Sequence, residues 1–254
     1  MKPAWVFESS DINVKAISDY DELKRLFVTH PLMIFRRQKL SESEFLDFMR
    51  HMGQPVEQKF RRALVVEMSG KSQSQLSSTS ELGWHADESY QPVYPEALTL
   101  FAVQIPKDTG CTHWANLQAA YASLDSDLKI QLEGLTAHHE FQNFDGYLRD
   151  LVEFESDEKK RMNYAYGKCA HPVVGTWHGS KFLRLNHGFT ARIVNAAEDL
   201  LPRLLEHIVS VKNVYSHAWQ EGDLVVSNNH TLIHRRDRFR DAKRLLYRGL
   251  FNLN

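Results

Sequence analysis

His85 and Asp87 are two residues apart, and both side-chain types bind transition metals. On an extended strand, residues two apart point to the same face, so an imidazole nitrogen and a carboxylate oxygen could reach one ion. One further histidine would complete a 2-His-1-carboxylate facial triad, which leaves positions open on ferrous iron. The spacing alone is weak support, because a chain with 13 His and 15 Asp is expected to contain about one His-x-Asp by chance.

Length and composition favour a single domain, residues 1–254, that acts on a small molecule. The 31 basic and 32 acidic residues leave a formal charge of -1, so no global field favours nucleic acid or an anionic membrane. Cys111 and Cys169 are too few for a disulfide framework and fit a reducing compartment. Because no signal-peptide or membrane-spanning pattern is present, we expect a cytoplasmic protein, and the sequence leaves a homo-oligomer open.

Hydrophobic periodicity predicts many short strands with a few helices between them. The sequence therefore predicts a mainly β fold with helical decoration, a sandwich or a jelly-roll-like barrel. We expect helices after Ser18-Asp19, after the capping box Ser41–Glu44, after Asn116, and over 126–133 and 200–208. The expected strands span residues 13–17, 32–35, 63–68, 97–103, 135–141, 171–174, 181–185, 224–227, 231–234 and 244–251.

Two polar stretches could cover a binding site. Residues 69–80 consist almost wholly of Ser, Gln, Gly, Lys and Thr, which is typical of a mobile loop. Residues 143–168 combine a charge run with aromatic residues. Each could act as a lid over substrate, and each could equally be a surface excursion without a role in binding.

Several motifs occur in a fixed order from Trp84 to Phe251, and together they carry a family resemblance. They are Trp84-His85-x-Asp87, Thr109-Gly110-x-Thr112-x-Trp114, His171-Pro172-Val173-Val174, Asn186-x-Gly188-Phe189-Thr190-x-Arg192-Ile193, Asn229 to His234, and Arg244-x-x-x-Arg248. The sequence resembles the taurine dioxygenase and dichlorophenoxyacetate dioxygenase (TauD/TfdA) family of Fe(II)/2-oxoglutarate-dependent oxygenases.

The resemblance implies a double-stranded β-helix, the cupin-like jelly roll, with His85, Asp87 and His234 on iron. It also implies that Thr112 and Arg244 hold the distal carboxylate of 2-oxoglutarate, with Arg248 nearby. A guanidinium group is permanently charged and offers a planar fork that matches a carboxylate. Since Arg244 and Arg248 are four residues apart, we expect them to share a face of the last strand.

The implied reaction consumes Fe(II)-bound 2-oxoglutarate and O2, releases succinate and CO2, and oxidises a C–H bond of a second substrate. Related halogenases have a small residue in place of the carboxylate ligand, so Asp87 argues for hydroxylation, desaturation or oxidative cleavage.

The sequence says less about the substrate. Phe189 matches an aromatic wall of the family, and we expect Tyr90, Phe141 and Phe144 to line the same space, although all three could be core residues. Arg248 could meet an anionic group, so we expect a small carboxylate, derived from an amino acid or from secondary metabolism. Taurine-specific members place a sulfonate-binding histidine where this chain has Gln54-Pro55-Val56-Glu57, which argues against taurine.

Two other functional classes fit part of the pattern. A zinc hydrolase or lyase also uses histidine and carboxylate ligands, but it explains neither Thr112 nor the two arginines. A non-catalytic binding module on the same fold would not need all three metal-ligand types.

Overall fold

A computed structural model describes residues 2–58, 63–69, 81–107, 109–140, 168–240 and 243–253. Strands dominate these residues, which confirms the predicted mainly β fold with helical decoration. The strands are β1 (Val6–Ser9), β2 (Leu32–Phe35), β3 (Gly53–Val56), β4 (Val65–Ser69), β5 (Leu82–His85), β6 (Ala97–Gln104), β7 (Cys111–Asn116), β8 (Thr136–Glu140), β9 (Lys168–Pro172), β10 (Val174–Trp177), β11 (Ser180–Leu183), β12 (Thr190–Ile193), β13 (Val214–Ala218), β14 (Leu224–Asn228), β15 (Leu232–Arg236) and β16 (Leu245–Leu253). The helices are α1 (Tyr20–Thr29), α2 (Glu42–Met52), α3 (Leu117–Ala122), α4 (Ser126–Leu132) and α5 (Leu200–Ile208).

Two larger sheets form the jelly roll. The major sheet has the strand order β1-β2-β14-β6-β16-β3, and β4 also pairs with β16. The minor sheet has the order β13-β7-β15-β5, and its three pairings are all antiparallel. Smaller sheets, β12-β8-β9 and β10-β11, extend the structure beyond these two. Non-consecutive strands are neighbours in both larger sheets, as a jelly roll requires.

The major sheet is apolar on both faces because each face is covered. Leu32 and Ile34 pack in a cluster with Trp114 and Leu232 of the minor sheet, so this cluster lies between the two sheets. Met33 and Phe35 alternate with them and pack instead against residues of α1 and α2, including Phe27 and Phe45. The four-residue apolar run of β2 therefore serves two cores, which explains why its side chains are all fully buried.

Local capping sets the helix boundaries. Asp19 accepts a hydrogen bond from the Glu22 N–H at the start of α1. Ser41 and Glu44 form the predicted capping box of α2, and Asn116 caps α3. None of the helices in the described ranges is both long enough and apolar enough to cross a membrane.

Two strand predictions were wrong. Residues 13–17 form no strand, because the Asn13 side chain accepts a hydrogen bond from the Lys15 N–H and stabilises a 3-10 turn over Val14–Ala16. The predicted strand 171–174 spans the break between β9 and β10, whereas 181–185 corresponds to β11. The strands β1, β3, β12 and β13 were missed. A tight hairpin at His178 and Gly179, whose φ values are 43° and 81°, joins β10 to β11.

The other sequence predictions on loops have mixed outcomes. Most of the proposed lids, residues 69–80 and 143–168, lies outside the described residues; Ser69 ends β4 and Lys168 begins β9. The adjacent His138 and His139 point to opposite faces of β8, and of the two only His139 is buried.

His139 gives the folded state a specific pH dependence. It is fully buried, and its ring lies 5.0 Å from that of His171. Burial, and to a lesser extent the neighbouring His171, lowers the pKa of His139 to about 3. An unfolded histidine has a pKa of about 6.5, so below that pH the unfolded chain takes up a proton that the folded chain does not.

We expect the free energy of unfolding to fall as the pH drops through this window, by up to about 1.4 kcal/mol per pH unit for each such proton. His139→Leu should reduce this slope between about pH 6 and about pH 4.5, as measured by urea unfolding at a series of pH values. The exposed His178 provides a control, because His178→Asn should leave the slope unchanged. Equal slopes for the wild type and His139→Leu would contradict the prediction.

Candidate active site

His85 and His234 are brought together by strand pairing in the minor sheet. His234 lies opposite His85 in the β15–β5 ladder, so both side chains leave the sheet on the same face. Their ring centres are 4.1 Å apart, and both residues are buried. The His85 Nδ1–H donates to the Gly83 carbonyl oxygen at 2.7 Å, so Nε2, which lies 3.6 Å from Asp87 Oδ1, is the ring nitrogen that would bind a metal.

Asp87 joins them from a turn and not from a strand. The strand β5 ends at His85, so the argument from alternation on an extended strand was wrong for Asp87. Instead, the buried Asn229 amide holds the Asp87 backbone from both sides. Asn229 Oδ1 accepts from the Asp87 N–H at 2.8 Å, and Asn229 Nδ2 donates to the Asp87 and Pro95 carbonyl oxygens at 2.8 and 2.9 Å.

The three side chains fit a divalent transition metal in number, type and charge. Their ligand atoms all lie within 4.8 Å of one another. Burial favours protonation of Asp87, but Arg248 and the two histidines outweigh it, so the pKa stays well below the ordinary value and the group is a carboxylate. Burial also lowers the pKa of His234 to about 3, which keeps its imidazole neutral at pH 7. Two imidazoles and one carboxylate form the donor set of a facial triad.

A second polar group is buried around Thr112 and Arg244. Thr112 Oγ1 accepts a hydrogen bond from Trp219 Nε1 at 2.8 Å, so the hydroxyl proton remains available for donation. The Arg244 guanidinium lies 5.8 Å from the Trp219 ring centre and 5.0 Å from that of Phe239. Within the described residues, Arg244 forms no ion pair and its buried Nε has no hydrogen-bond acceptor.

Arg244 therefore resembles a binding group for an anion that the described part of the chain does not provide. Burial, together with repulsion from Arg236, lowers the pKa of Arg244 to about 9, which still leaves it charged at pH 7. A buried cation is costly unless a counter-charge or hydrogen-bond acceptor compensates it. A carboxylate would accept from both Arg244 and the Thr112 hydroxyl, so these residues fit the distal end of a 2-oxo dicarboxylic acid.

Arg248 occupies a different place from Arg244. Its Nη2 lies 2.9 Å from Asp87 Oδ2, and its Nη1 donates to Gln58 Oε1. Gln58 is buried, and its Nε2 also donates to the Arg248 carbonyl oxygen at 3.1 Å. Arg244 precedes the first residue of β16, and a register shift follows between Leu245 and Leu246. The expectation that the two arginines share a strand face was therefore wrong.

An aromatic wall borders the histidines. Phe189 packs edge to face on Tyr90 at 4.9 Å and on His85 at 6.4 Å. Asn186 positions this wall: its Oδ1 accepts from the Phe189 N–H at 2.8 Å, and its Nδ2 donates to Ser89 Oγ at 3.0 Å. The predicted lining residues Phe141 and Phe144 lie outside the described residues.

Several residues of the site were not found by reading the sequence. Asn229 and Asn186 lie inside the family motifs but have no predicted role, and Arg236 has none either. Gln58 lies one residue beyond the segment that was compared with the sulfonate-binding region. The signal that could have found Asn229, Asn186 and Gln58 is their place beside motif residues, because buried Asn and Gln are uncommon outside hydrogen-bonded networks.

A jelly roll that carries two histidines and one carboxylate between its sheets defines the class of non-haem metal oxygenases. The model of the family "Taurine catabolism dioxygenase TauD, TfdA family" matches residues 1–250 of this chain. The chain belongs to this family and is a 2-oxoglutarate-dependent dioxygenase, an oxidoreductase that uses Fe(II), 2-oxoglutarate and O2. The predictions of family, fold, enzyme class and cofactors are confirmed.

Relatives of known activity span most of the chain. The alpha-ketoglutarate-dependent 2,4-dichlorophenoxyacetate dioxygenase of Cupriavidus pinatubonensis is 32% identical over 243 residues, which cover 86% of this chain and 83% of that protein. The (S)-phenoxypropionate/alpha-ketoglutarate-dioxygenase of Sphingobium herbicidovorans is 26% identical, with 84% and 78% covered. An alkylsulfatase of Acinetobacter baylyi is 29% identical, with 81% and 67% covered.

Solved structures agree with the fold. The crystal structure of AAD-2 in complex with Mn(II) and N-oxalylglycine has a TM-score of 0.82 at 22% identity and covers 100% of this chain and 96% of that one. A taurine dioxygenase from Burkholderia xenovorans has a TM-score of 0.77 at 21% identity, with 98% and 86% covered. At these identities the likeness is one of fold.

The Asn229 amide should control metal affinity through Asp87. Asn229→Ala removes the two side-chain hydrogen bonds to the Asp87 backbone and the one to the Pro95 carbonyl oxygen. We therefore expect the affinity for Mn(II) to fall about 10- to 100-fold, which is the usual effect of losing a residue that orients a metal ligand. Titration of Mn(II) followed by electron paramagnetic resonance measures the change.

Asn213→Ala is the matched control, because it deletes a buried amide that bonds to His207 and Ser210. This variant should keep the wild-type affinity. A folded Asn229→Ala protein with unchanged Mn(II) affinity would refute the positioning role.

Proposed function

We propose that this enzyme oxidises a C–H bond of a small carboxylate, with Fe(II) on His85, Asp87 and His234 and with 2-oxoglutarate on Thr112 and Arg244. The observation that carries the proposal is the joint presence of a buried metal triad and a buried guanidinium with no carboxylate partner among the described residues. A zinc hydrolase needs the first feature and not the second.

Each protein group has a separate task in this reaction. The iron, once loaded with 2-oxoglutarate and O2, supplies the oxidising power that an amino-acid side chain lacks. His85 and His234 would supply nitrogen ligands to the iron, and Asp87 would supply a carboxylate ligand and a negative charge. Arg244 and Thr112 fix the far end of 2-oxoglutarate, while Phe189 and Tyr90 form an apolar wall that keeps water from the reacting C–H bond.

The position of Arg248 supports the proposal that the substrate is an anion. It lies beside Asp87 and is buried less completely than Arg244, with 14% of its side chain exposed, so it can face a molecule entering next to the metal. Gln58 would orient the guanidinium from behind. The named substrates of the relatives, dichlorophenoxyacetate and phenoxypropionate, are carboxylates, which fits this assignment. We therefore favour a carboxylate over taurine.

Two further expectations remain proposals. Both described cysteines are free thiols, which supports a cytoplasmic location. The second is that the enzyme forms a homo-oligomer.

Anaerobic addition of Fe(II) and 2-oxoglutarate should produce a visible charge-transfer band, because the 2-oxo acid would chelate the iron. His234→Ala should abolish this band. Arg244→Ala should require at least about tenfold more 2-oxoglutarate, since a charge-assisted pair is lost. Titration by absorbance measures both effects.

The exposed Arg203 offers a control, because Arg203→Ala should titrate like the wild type. A wild-type mixture that stays colourless and binds no ferrous ion would refute the iron site. Unchanged 2-oxoglutarate affinity in Arg244→Ala would refute the carboxylate clamp alone.

Turnover of a panel of aryloxyalkanoates, amino-acid-derived carboxylates, alkyl sulfates and taurine identifies the second substrate, with succinate and product mass read by mass spectrometry. A gain of one oxygen indicates hydroxylation, and a loss of two hydrogens indicates desaturation. We expect a carboxylate to be accepted and Arg248→Gln to raise its KM about tenfold or more, because the anion loses its cation.

The neutral methyl ester of the same substrate is the control and should show little change in KM with Arg248→Gln. An equal loss for acid and ester, with weaker metal binding, would mean that Arg248 serves only to hold Asp87. Succinate released with taurine or an alkyl sulfate and with no carboxylate of the panel would contradict the proposed substrate class.

A further inference from the structure

A second arginine, Arg236, reaches the same interior space as Arg244. Residues two apart on a strand share a face, so Arg236 points to the side of β15 that carries His234. It lies opposite Thr112 in the β15–β7 ladder, which places the two side chains next to each other. Only 6% of Arg236 is exposed.

The adjacent Arg235 shows what an ordinary arginine does on this strand. It points to the opposite face, where it bonds to Asp237 Oδ1 at 2.8 Å and to Glu81 at 3.4 Å near the surface. Ordinary ion pairing therefore accounts for Arg235. Arg236, on the other face of the strand, is directed between the sheets.

Arg236 and Arg244 converge on one aromatic ring. Their guanidinium carbons lie 5.2 and 5.0 Å from the centre of the buried Phe239 ring. Both guanidinium groups are thus within cation–π range of the same ring, and the charge of Arg236 contributes to the lowered pKa of Arg244. A carboxylate bound to Arg244 and to Thr112 would lie beside Arg236, the cross-strand neighbour of Thr112, and would attract both guanidinium groups.

We propose that Arg236 is a second guanidinium ligand of the distal carboxylate of 2-oxoglutarate, which is then held jointly by Thr112, Arg236 and Arg244. This inference rests on the proposed function of the site. The two oxygens of a carboxylate offer about four acceptor positions, enough for two guanidinium groups and one hydroxyl. The consequence is a strong requirement for a second carboxylate on the 2-oxo acid.

A merely structural Arg236 would behave differently from a binding one. Loss of a packing residue would loosen the site for every 2-oxo acid. Loss of a carboxylate ligand weakens only those acids that carry the distal carboxylate. The discriminating quantity is therefore the ratio of the affinities for 2-oxoglutarate and 2-oxopentanoate, which have the same chain length and the same iron-chelating end.

The test is an anaerobic titration of the Fe(II)-loaded protein with each 2-oxo acid, followed through the charge-transfer band. Arg236→Met keeps an apolar stem against Phe239 and removes the charge. We expect its Kd for 2-oxoglutarate to rise about tenfold or more and its Kd for 2-oxopentanoate to change by less than about threefold. Arg236→Lys, which retains the charge, should recover part of the preference.

Arg235→Met is the matched control and should keep the wild-type Kd values. A preference for 2-oxoglutarate that is unchanged in Arg236→Met, or equal weakening of both acids, would overturn the assignment of Arg236. If the wild type gave no band with either acid, the proposed function itself would fail, so the two failures are distinguishable.

Discussion

The metal triad depends on one buried side-chain amide, that of Asn229, which holds the turn that carries Asp87. Two of the ligands are aligned by the sheet itself, because His85 and His234 are cross-strand neighbours. The third is not, and the hydrogen bonds of Asn229 to both backbone polar groups of Asp87 complete the set. The same turn continues to Ser89, which Asn186 connects to the aromatic wall. Two asparagines thus link the metal ligands to the substrate side of the site.

Charge balance explains how the rest of the interior is used. The residues that we place around the reactants carry three guanidinium groups, Arg236, Arg244 and Arg248, against the single carboxylate of Asp87. A ferrous ion would add two more positive charges. This excess is unfavourable in a low-dielectric interior until anions enter, and a dicarboxylic 2-oxo acid followed by an anionic substrate would supply them. The positive charge of these three arginines therefore favours the binding of anions at the site.

The sequence predicts those features that depend on neighbouring residues along the chain or on the types of residue in a motif. Capping residues gave the starts of α1, α2 and α3, and the motif order gave the family and the fold. It failed where tertiary contacts decide the outcome. Asn13 converts a β-like segment into a 3-10 turn, and strand alternation describes neither Asp87 nor Arg244. Arg236 was hidden in a basic stretch, because direction relative to the sheet cannot be read from charge.

The contact between Asn229 and Asp87 has an evolutionary consequence. Because the amide binds the main chain, its hydrogen bonds to the turn do not require a particular side chain at position 87. A mutation there could exchange the carboxylate for a smaller group while the two histidines and the turn stay in place. The backbone that places residue 87 is thus held independently of which side chain serves as the third ligand. That separation gives the fold a route to new oxidative chemistry in a single substitution.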